Sequence, residues 1–271
     1  MKRIFYILIA LFVTIVASAQ ERIVRVYEYD KNGNLNDKPS FTTNKKVKVV
    51  FFNEDVDLGL PSGTIWATCN VGANSPEEYG FYFAWGETNP KETYADYKFS
   101  NYKWGNGTIK HPGDNTPYNQ YTKYCTNNKY GTVDNKTVLD PEDDAATVRW
   151  GDGWCIPTLE QIQELINPEY TTTKFTTYND KNGIEITSKK NGKSIFLPLA
   201  GSCGYGDGRK YDGSTGYYWS RSLETDENDP DNAGYVYLRA SDFLIDSDHS
   251  NNWGYSKRYA GFSVRPVRVQ K

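Results

Sequence analysis

His111 and His249 are the two imidazoles of the 271-residue chain. Neither lies in an HExxH helix or in any other metal-ligand spacing, so a general base titrating near neutrality is scarce. Gly204-Tyr205-Gly206-Asp207-Gly208 lacks the Lys-Ser/Thr pair of a phosphate loop, and the chain holds no Gly-x-Ser-x-Gly elbow. Acids are plentiful, but the pair needed for glycoside hydrolysis is made by a fold, and the spacing singles none out. The expectation is that the chain is not an enzyme.

Binding groups are better arranged. Tyr217, Trp219 and Arg221 alternate along one expected strand, and Tyr235, Tyr237 and Arg239 along another. Asp246, Asp248, His249, Asn251, Trp253, Tyr255, Arg258 and Tyr259 crowd the segment that follows. Rigid rings beside directional polar groups are what antibody loops use, and rings also stack on sugars. Val236 and Leu238 fall on the opposite side from Tyr235, Tyr237 and Arg239, which predicts one core face and one face presenting rings. The competing reading makes Trp219 and some of the tyrosines ordinary core residues.

Oxygen ligands gather in Asp226, Asn228, Asp229, Asp231 and Asn232. This is a weak calcium motif, since hard-cation loops need carboxylates and amides at regular positions and Asp229-Pro230-Asp231 supplies them imperfectly. Apart from that calcium candidate, no cofactor is expected. A second acidic run, Asp140, Glu142, Asp143 and Asp144, reads as the start of a helix, with Pro141 in its first position and the acids at the positive end of the dipole. Consecutive carboxylates on a helix are not expected to converge on one ion.

These groups sit in a chain of 31 basic and 34 acidic residues, net charge −3, with 22 Tyr, 12 Phe and 7 Trp. So small a charge implies no broad basic surface for nucleic acid, and so many rings exclude a disordered chain. Lys2 and Arg3, the apolar run Ile4 to Val16 and Ala17-Ser18-Ala19 read as a cleavable secretory signal over residues 1–19. No later run is apolar enough to span a bilayer. Secretion or display at the cell surface is expected, with the periplasm as the alternative. Export makes disulfides among Cys69, Cys125, Cys155 and Cys203 a reasonable expectation; three pairings are open, and Cys69–Cys125 with Cys155–Cys203 is the one favoured.

Residues 20–54 read as a small separate β segment, with strands over Ile23 to Tyr29 and Lys46 to Phe52. Residues 55–271 read as one α+β domain of short strands and long loops. Its clearest helix begins after Thr158, with Gln161 completing a capping box, Ile162, Leu165 and Ile166 on one face, and Pro168 at the end. Strands are expected over Gly183 to Ser188, Ser194 to Leu199, Tyr217 to Leu223, Tyr235 to Ala240 and Phe262 to Val269. Asn191-Gly192 predicts a two-residue hairpin between the first two.

The run Val56-Asp57-Leu58-Gly59-Leu60-Pro61-Ser62-Gly63-Thr64-Ile65-Trp66-Ala67-Thr68-Cys69-Asn70-Val71-Gly72-Ala73, then Tyr82-Phe83-Ala84-Trp85-Gly86-Glu87-Thr88, closely resembles the "Fibrobacter succinogenes major paralogous domain" family. Leu139 to Ala146, Trp154-Cys155-Ile156-Pro157-Thr158, Gly216-Tyr217-Tyr218-Trp219-Ser220 and Ser263-Val264-Arg265-Pro266-Val267 continue the resemblance in order, over about residues 55–269. It implies an exported protein of Bacteroidetes type with a C-type lectin-like fold. Cys155 stands where the family usually has Arg and Cys203 where a polar or aromatic residue is commoner, which implies one added disulfide. The function expected is adhesion: recognition of a glycan or surface protein through the aromatic C-terminal strands and loop. The alternative is a structural accessory or tip subunit of a surface assembly, and an enzyme of lectin-like fold comes third.

Overall fold

Alternation of side chains decides which faces of each strand are covered. In the computed structural model, the described residues are 55–113, 117–151, 153–204, 212–223, 232–239 and 257–268, together with the backbone of the short strand segments 9–10, 24–28, 41–43, 209–210, 245–246 and of Val269. The chain divides into two units, Met1–Phe52 and Asn53–Lys271. In the first, β1 (Ile9–Ala10), β2 (Val24–Glu28) and β3 (Phe41–Thr43) form an antiparallel sheet in that order. A strand thus stands where Ile23 to Tyr29 predicts one. The second expected strand, Lys46 to Phe52, lies outside the described residues, as does the expected signal segment apart from the backbone of β1.

The second unit is mixed and sheet-rich. In chain order it runs β4 (Asp55–Asp57), β5 (Thr64–Ala67), β6 (Gly105–Lys110) and β7 (Pro117–Tyr121), then the helices α1 (Ala145–Trp150) and α2 (Leu159–Ile166). There follow β8 (Thr171–Tyr178), β9 (Lys181–Ser188), β10 (Ser194–Pro198), β11 (Ser202–Cys203), β12 (Arg209–Lys210), β13 (Thr215–Leu223), β14 (Ala233–Arg239), β15 (Ile245–Asp246) and β16 (Val267–Val269). Three small sheets carry the architecture: β10-β9-β8, β13-β14-β15 and β16-β5-β4.

α2 forms for the reason its sequence advertises. Thr158 Oγ1 accepts from Gln161 N–H, Gln161 Oε1 accepts from Thr158 N–H at 2.8 Å, and Ile162 and Leu165 are buried. The first helix starts later than Asp140. Pro141–Asp143 is a single 3-10 turn, and Asp144 caps α1 by accepting from Ala146 N–H at 2.9 Å and Thr147 N–H at 3.0 Å. β8 is an addition to the expected strands. It pairs with β9 across a two-residue turn in which Asn179 (φ 44°) and Asp180 (φ 62°) both take left-handed backbone, as a type I′ hairpin requires. Asn191-Gly192 does lie in the β9–β10 hairpin, but the connection is five residues long, closed by Ser188 N–H to Lys193 O at 2.8 Å. The last expected strand shortens to β16, preceded by single bridges at Phe262 and Ser263, because Pro266 has no N–H to donate.

β13 and β14 pair with Tyr217 opposite Tyr237, Tyr218 opposite Val236, and Trp219 opposite Tyr235. Tyr218, Val236 and Leu238 join one core with Trp66, Ile162, Leu165, Ile184, Ile186 and Leu197. Trp219 and Tyr235 join another with Phe83, Trp85, Tyr124, Leu139 and Phe262. Both faces of this strand pair are therefore covered. Each fully buried Leu, Ile or Phe contributes roughly 1.5–3 kcal/mol of transfer free energy. A third, tyrosine-rich core holds Tyr82, Tyr97, Tyr102, Tyr121, Tyr130, Cys125 and Cys203.

The expected disulfides are not formed: among the described residues, no crosslink joins Cys69, Cys125, Cys155 or Cys203. The fold separates Cys155 from Cys203 and places Cys203 in the same core as Cys125 without a crosslink. Cys155 packs on the second core and Cys203 in the third. Cys69 Sγ points at Ala73 O at 3.6 Å, and Cys125 Sγ donates to Asn127 O at 3.1 Å. Burial raises the pKa of Cys69, Cys125 and Cys155, which keeps them as unreactive thiols. Denatured but unreduced protein is expected to take up an alkylating reagent at all four cysteines, read by mass; a shortfall of two would reveal a bridge.

Arg265 is buried to 1% exposure between these elements. Its Nε donates to Asn70 Oδ1 at 2.9 Å, Nη1 to Ala67 O at 3.0 Å and Thr68 O at 2.6 Å, and Nη2 to Phe196 O at 2.9 Å. Replacing it by Met leaves these acceptors stranded in the core, at a cost of about 3 kcal/mol or more. Urea denaturation measures this, and Arg265→Lys is expected to rescue little of it, because an ammonium cannot reproduce the planar fork.

Candidate ligand-binding face

The rings of β13 and β14 form a continuous stack around Phe262. Centroid separations are 4.2 Å for Trp219–Phe262, 4.9 Å for Tyr217–Phe262, 5.6 Å for Tyr235–Phe262 and 4.9 Å for Tyr217–Tyr237. Exposure falls along the stack. Trp219 is 0% exposed and donates its indole N–H to Phe83 O at 2.7 Å; Tyr235 is 8% exposed. Both are core residues, which corrects their expected place on a recognition surface. The cause is the irregular segments carrying Phe83, Trp85 and Leu139 and the first turn of α1 with Ala145 and Ala146, which cover the ring side of the sheet.

Tyr217, Arg221, Tyr237 and Arg239 are half-buried. Burial and the neighbouring Tyr237 and Tyr235 push the Tyr217 hydroxyl well above the usual tyrosine range, so it stays a neutral donor. The Arg239 guanidinium lies 6.0 Å from the Tyr237 ring centre. Arg221 is turned inward at its tip, where Nη2 donates to Leu139 O at 2.9 Å. The backbone of β15 pairs with Tyr237 and Leu238, so the segment after β14 returns alongside the exposed end of the stack.

Arg258 is the second correction. Expected among surface ligand contacts, it is 0% exposed. Its guanidinium lies over the Tyr121 ring at 3.5 Å and Nη1 donates to Tyr124 O at 2.9 Å, a cation–π seat that replaces water on one side. Nε and Nη2 are buried without a hydrogen-bond partner. Asp248, Asn251, Trp253 and Tyr255 lie outside the described residues, as do the calcium candidates Asp226, Asn228, Asp229 and Asp231. His111 packs on Tyr118, and its Nε2 lies 2.8 Å from Lys129 O.

The acidic run gathers where the sequence predicts no convergence. One carboxylate oxygen from each of Asp140, Glu142 and Asp143 falls within 4.8 Å of the others, because the tight 3-10 turn brings them together while Asp144 turns away to cap α1. Lys123 Nζ stands among them, 2.6 Å from both Asp140 and Asp143 and 3.9 Å from Glu142. Asp143 is also held by Lys103 Nζ at 2.9 Å and Tyr124 Oη at 2.7 Å. The lysine ammonium supplies the positive charge that a divalent cation would bring to these oxygens. Lys103 and Lys123 lie 4.2 and 5.1 Å from the Trp104 ring centre. The sequence positions of Lys103, Trp104 and Lys123 carry no signal for such a cluster; the fold assembles it.

No protein-family model, curated protein or solved structure matches the chain. Among the described residues no helix is long and apolar enough to cross a membrane.

Burial works to raise the Asp143 pKa, but hydrogen bonds from Lys123, Lys103 and Tyr124 outweigh it and hold the carboxyl below its ordinary value. The unfolded chain therefore takes up this proton first. The stability is complete above the unfolded pKa of about 3.9 and is lost as pH falls through the lower native value. Asp143→Asn is expected to lower stability at neutral pH by about 2 kcal/mol and to flatten the loss of stability below about pH 4, as read by denaturant midpoints across pH.

Proposed function

We propose that the chain is an exported, non-catalytic binding protein whose second unit is a C-type lectin-like domain of the major paralogous kind. Its ligand is a glycan or a surface protein, taken by the exposed end of the β13–β14 ring stack and the segment that follows it. The observation that carries this reading is the half-burial of Tyr217, Tyr237 and Arg239 at the rim of a stack whose other rings are fixed in the core. Groups held this way lose little conformational entropy when they meet a ligand, and they combine apolar ring faces with hydroxyl and guanidinium donors. The mixed, sheet-rich second unit is compatible with such a domain.

Screening on a glycan array and on immobilised cell-surface proteins tests the proposal. A ligand should be retained whose affinity falls at least about tenfold, roughly 1.4 kcal/mol, in Tyr237→Ala and in Arg239→Ala. Blank screens, or equal retention by both variants, contradict it.

A further inference from the structure

The sheet β10-β9-β8 covers the second core with one face only. Ile184, Ile186, Ile195 and Leu197 point inward, so by alternation Thr176, Tyr178, Gly183, Glu185, Ser194 and Phe196 share the outer face. There the absence of a side chain at Gly183 is used: a Cβ at that position would sit 2.1 Å from Phe196 Cζ. The Phe196 ring therefore lies across the middle strand and meets Tyr178 at a centroid separation of 5.9 Å, leaving Tyr178 51% exposed.

Beside these rings is a groove of about 250 Å³, lined by Thr68, Pro76, Thr176, Thr177, Tyr178, Glu185, Ser194, Ile195 and Phe196. Its walls are tied from behind. Arg265 donates to the carbonyls of both Thr68 and Phe196, and Asn179, at the tip of the β8–β9 hairpin, donates to Glu77 Oε1 at 2.7 Å, next to Pro76. Glu185 Oε1 accepts from Ser194 Oγ at 3.3 Å, which orients the carboxylate within the groove lining.

We propose that this groove is a second binding site, separate from the β13–β14 ring face, and that it takes a single pyranose ring of a saccharide. The volume is below the roughly 300 Å³ at which pockets for drug-sized ligands begin, so it suits one ring. The chemistry is that of a sugar. An exposed aromatic face packs against the apolar C–H side of a pyranose, a carboxylate accepts from vicinal hydroxyls, and threonine and serine hydroxyls donate and accept around the rim. Lys174, opposite Glu185 on the outer face, stands outside the lining, so an anionic ligand within the groove would meet Glu185 without a cation, and a peptide anchor would need a deeper apolar pocket than Pro76 and the rings of Tyr178 and Phe196 make.

Amide chemical shifts of the full chain, titrated with methyl glycosides of glucose, galactose, mannose and N-acetylglucosamine, decide the matter. At least one glycoside is expected to move resonances confined to residues 68, 174–178, 183–185 and 194–196. Tyr178→Ala should weaken that glycoside at least tenfold and Glu185→Gln at least fivefold, with the spectrum otherwise folded. Tyr237→Ala should leave it unchanged, so this result and the ring-face reading stand or fall separately. Overturning results are an absence of shifts with every glycoside, wild-type affinity in both groove variants, or shifts in these residues produced only by an extended peptide adding to the edge of β8.

Discussion

A guanidinium with no carboxylate beside it among the described residues sits inside the second unit. Stripping a cation of water costs several kcal/mol even after relaxation, and Arg265 offsets that cost with neutral oxygens alone. They come from Ala67 at the end of β5, from Thr68 and Asn70 just after it and from Phe196 in β10, while Arg265 itself lies just before β16. Segments from the beginning, middle and end of the second unit must therefore be in place together before the charge is satisfied. Tyr218, whose hydroxyl burial pushes up to about 12, donates to Pro198 O at 2.6 Å in the same interior. The arrangement makes one side chain a gauge of whether the sheets β16-β5-β4 and β10-β9-β8 have assembled.

The aromatic residues follow from that assembly. With β13 and β14 covered on both faces, rings that alternation alone would send to a surface become the contents of two cores, and the end at Tyr217, Tyr237 and Arg239 remains partly open. Recognition and packing are then two ends of one stack, and the rigidity of the exposed end is supplied by Trp219 and Phe262 beneath it. The outer face of β8–β10 uses the same principle at smaller scale, where Phe196 props Tyr178 over Gly183.

Local rules read well where the local signal and the fold agree. The capping box of α2, the strands β9, β10, β13 and β14, and the opposition of Val236 and Leu238 to Tyr235 and Tyr237 are all visible as spacing. β8 is hidden because Thr171–Tyr178 carries threonine on both faces, with Phe175 its one apolar inward residue, so neither a helical nor a strand period stands out. Which faces are covered is beyond alternation, since period two tells that Trp219 and Tyr218 point apart and says nothing of what lies on each side. Arg258 is misplaced for a related reason: charge predicts the surface, and the ring of Tyr121 and the carbonyl of Tyr124 that receive it come from more than a hundred residues away. The convergence of Asp140, Glu142 and Asp143 depends on one tight turn in place of an α-helical one, a difference set by where Asp144 finds N–H groups to cap.

The central claim, that Arg265 is a buried cation whose three nitrogens are each hydrogen-bonded to neutral oxygens, is tested most directly by the NMR signals of its side chain. The account predicts an Nε–H resonance protected from hydrogen exchange to nearly the global limit, with its Nη protons resolved by arrested rotation of the guanidinium. A rapidly exchanging Nε–H with averaged Nη signals, in an otherwise folded spectrum, would contradict it.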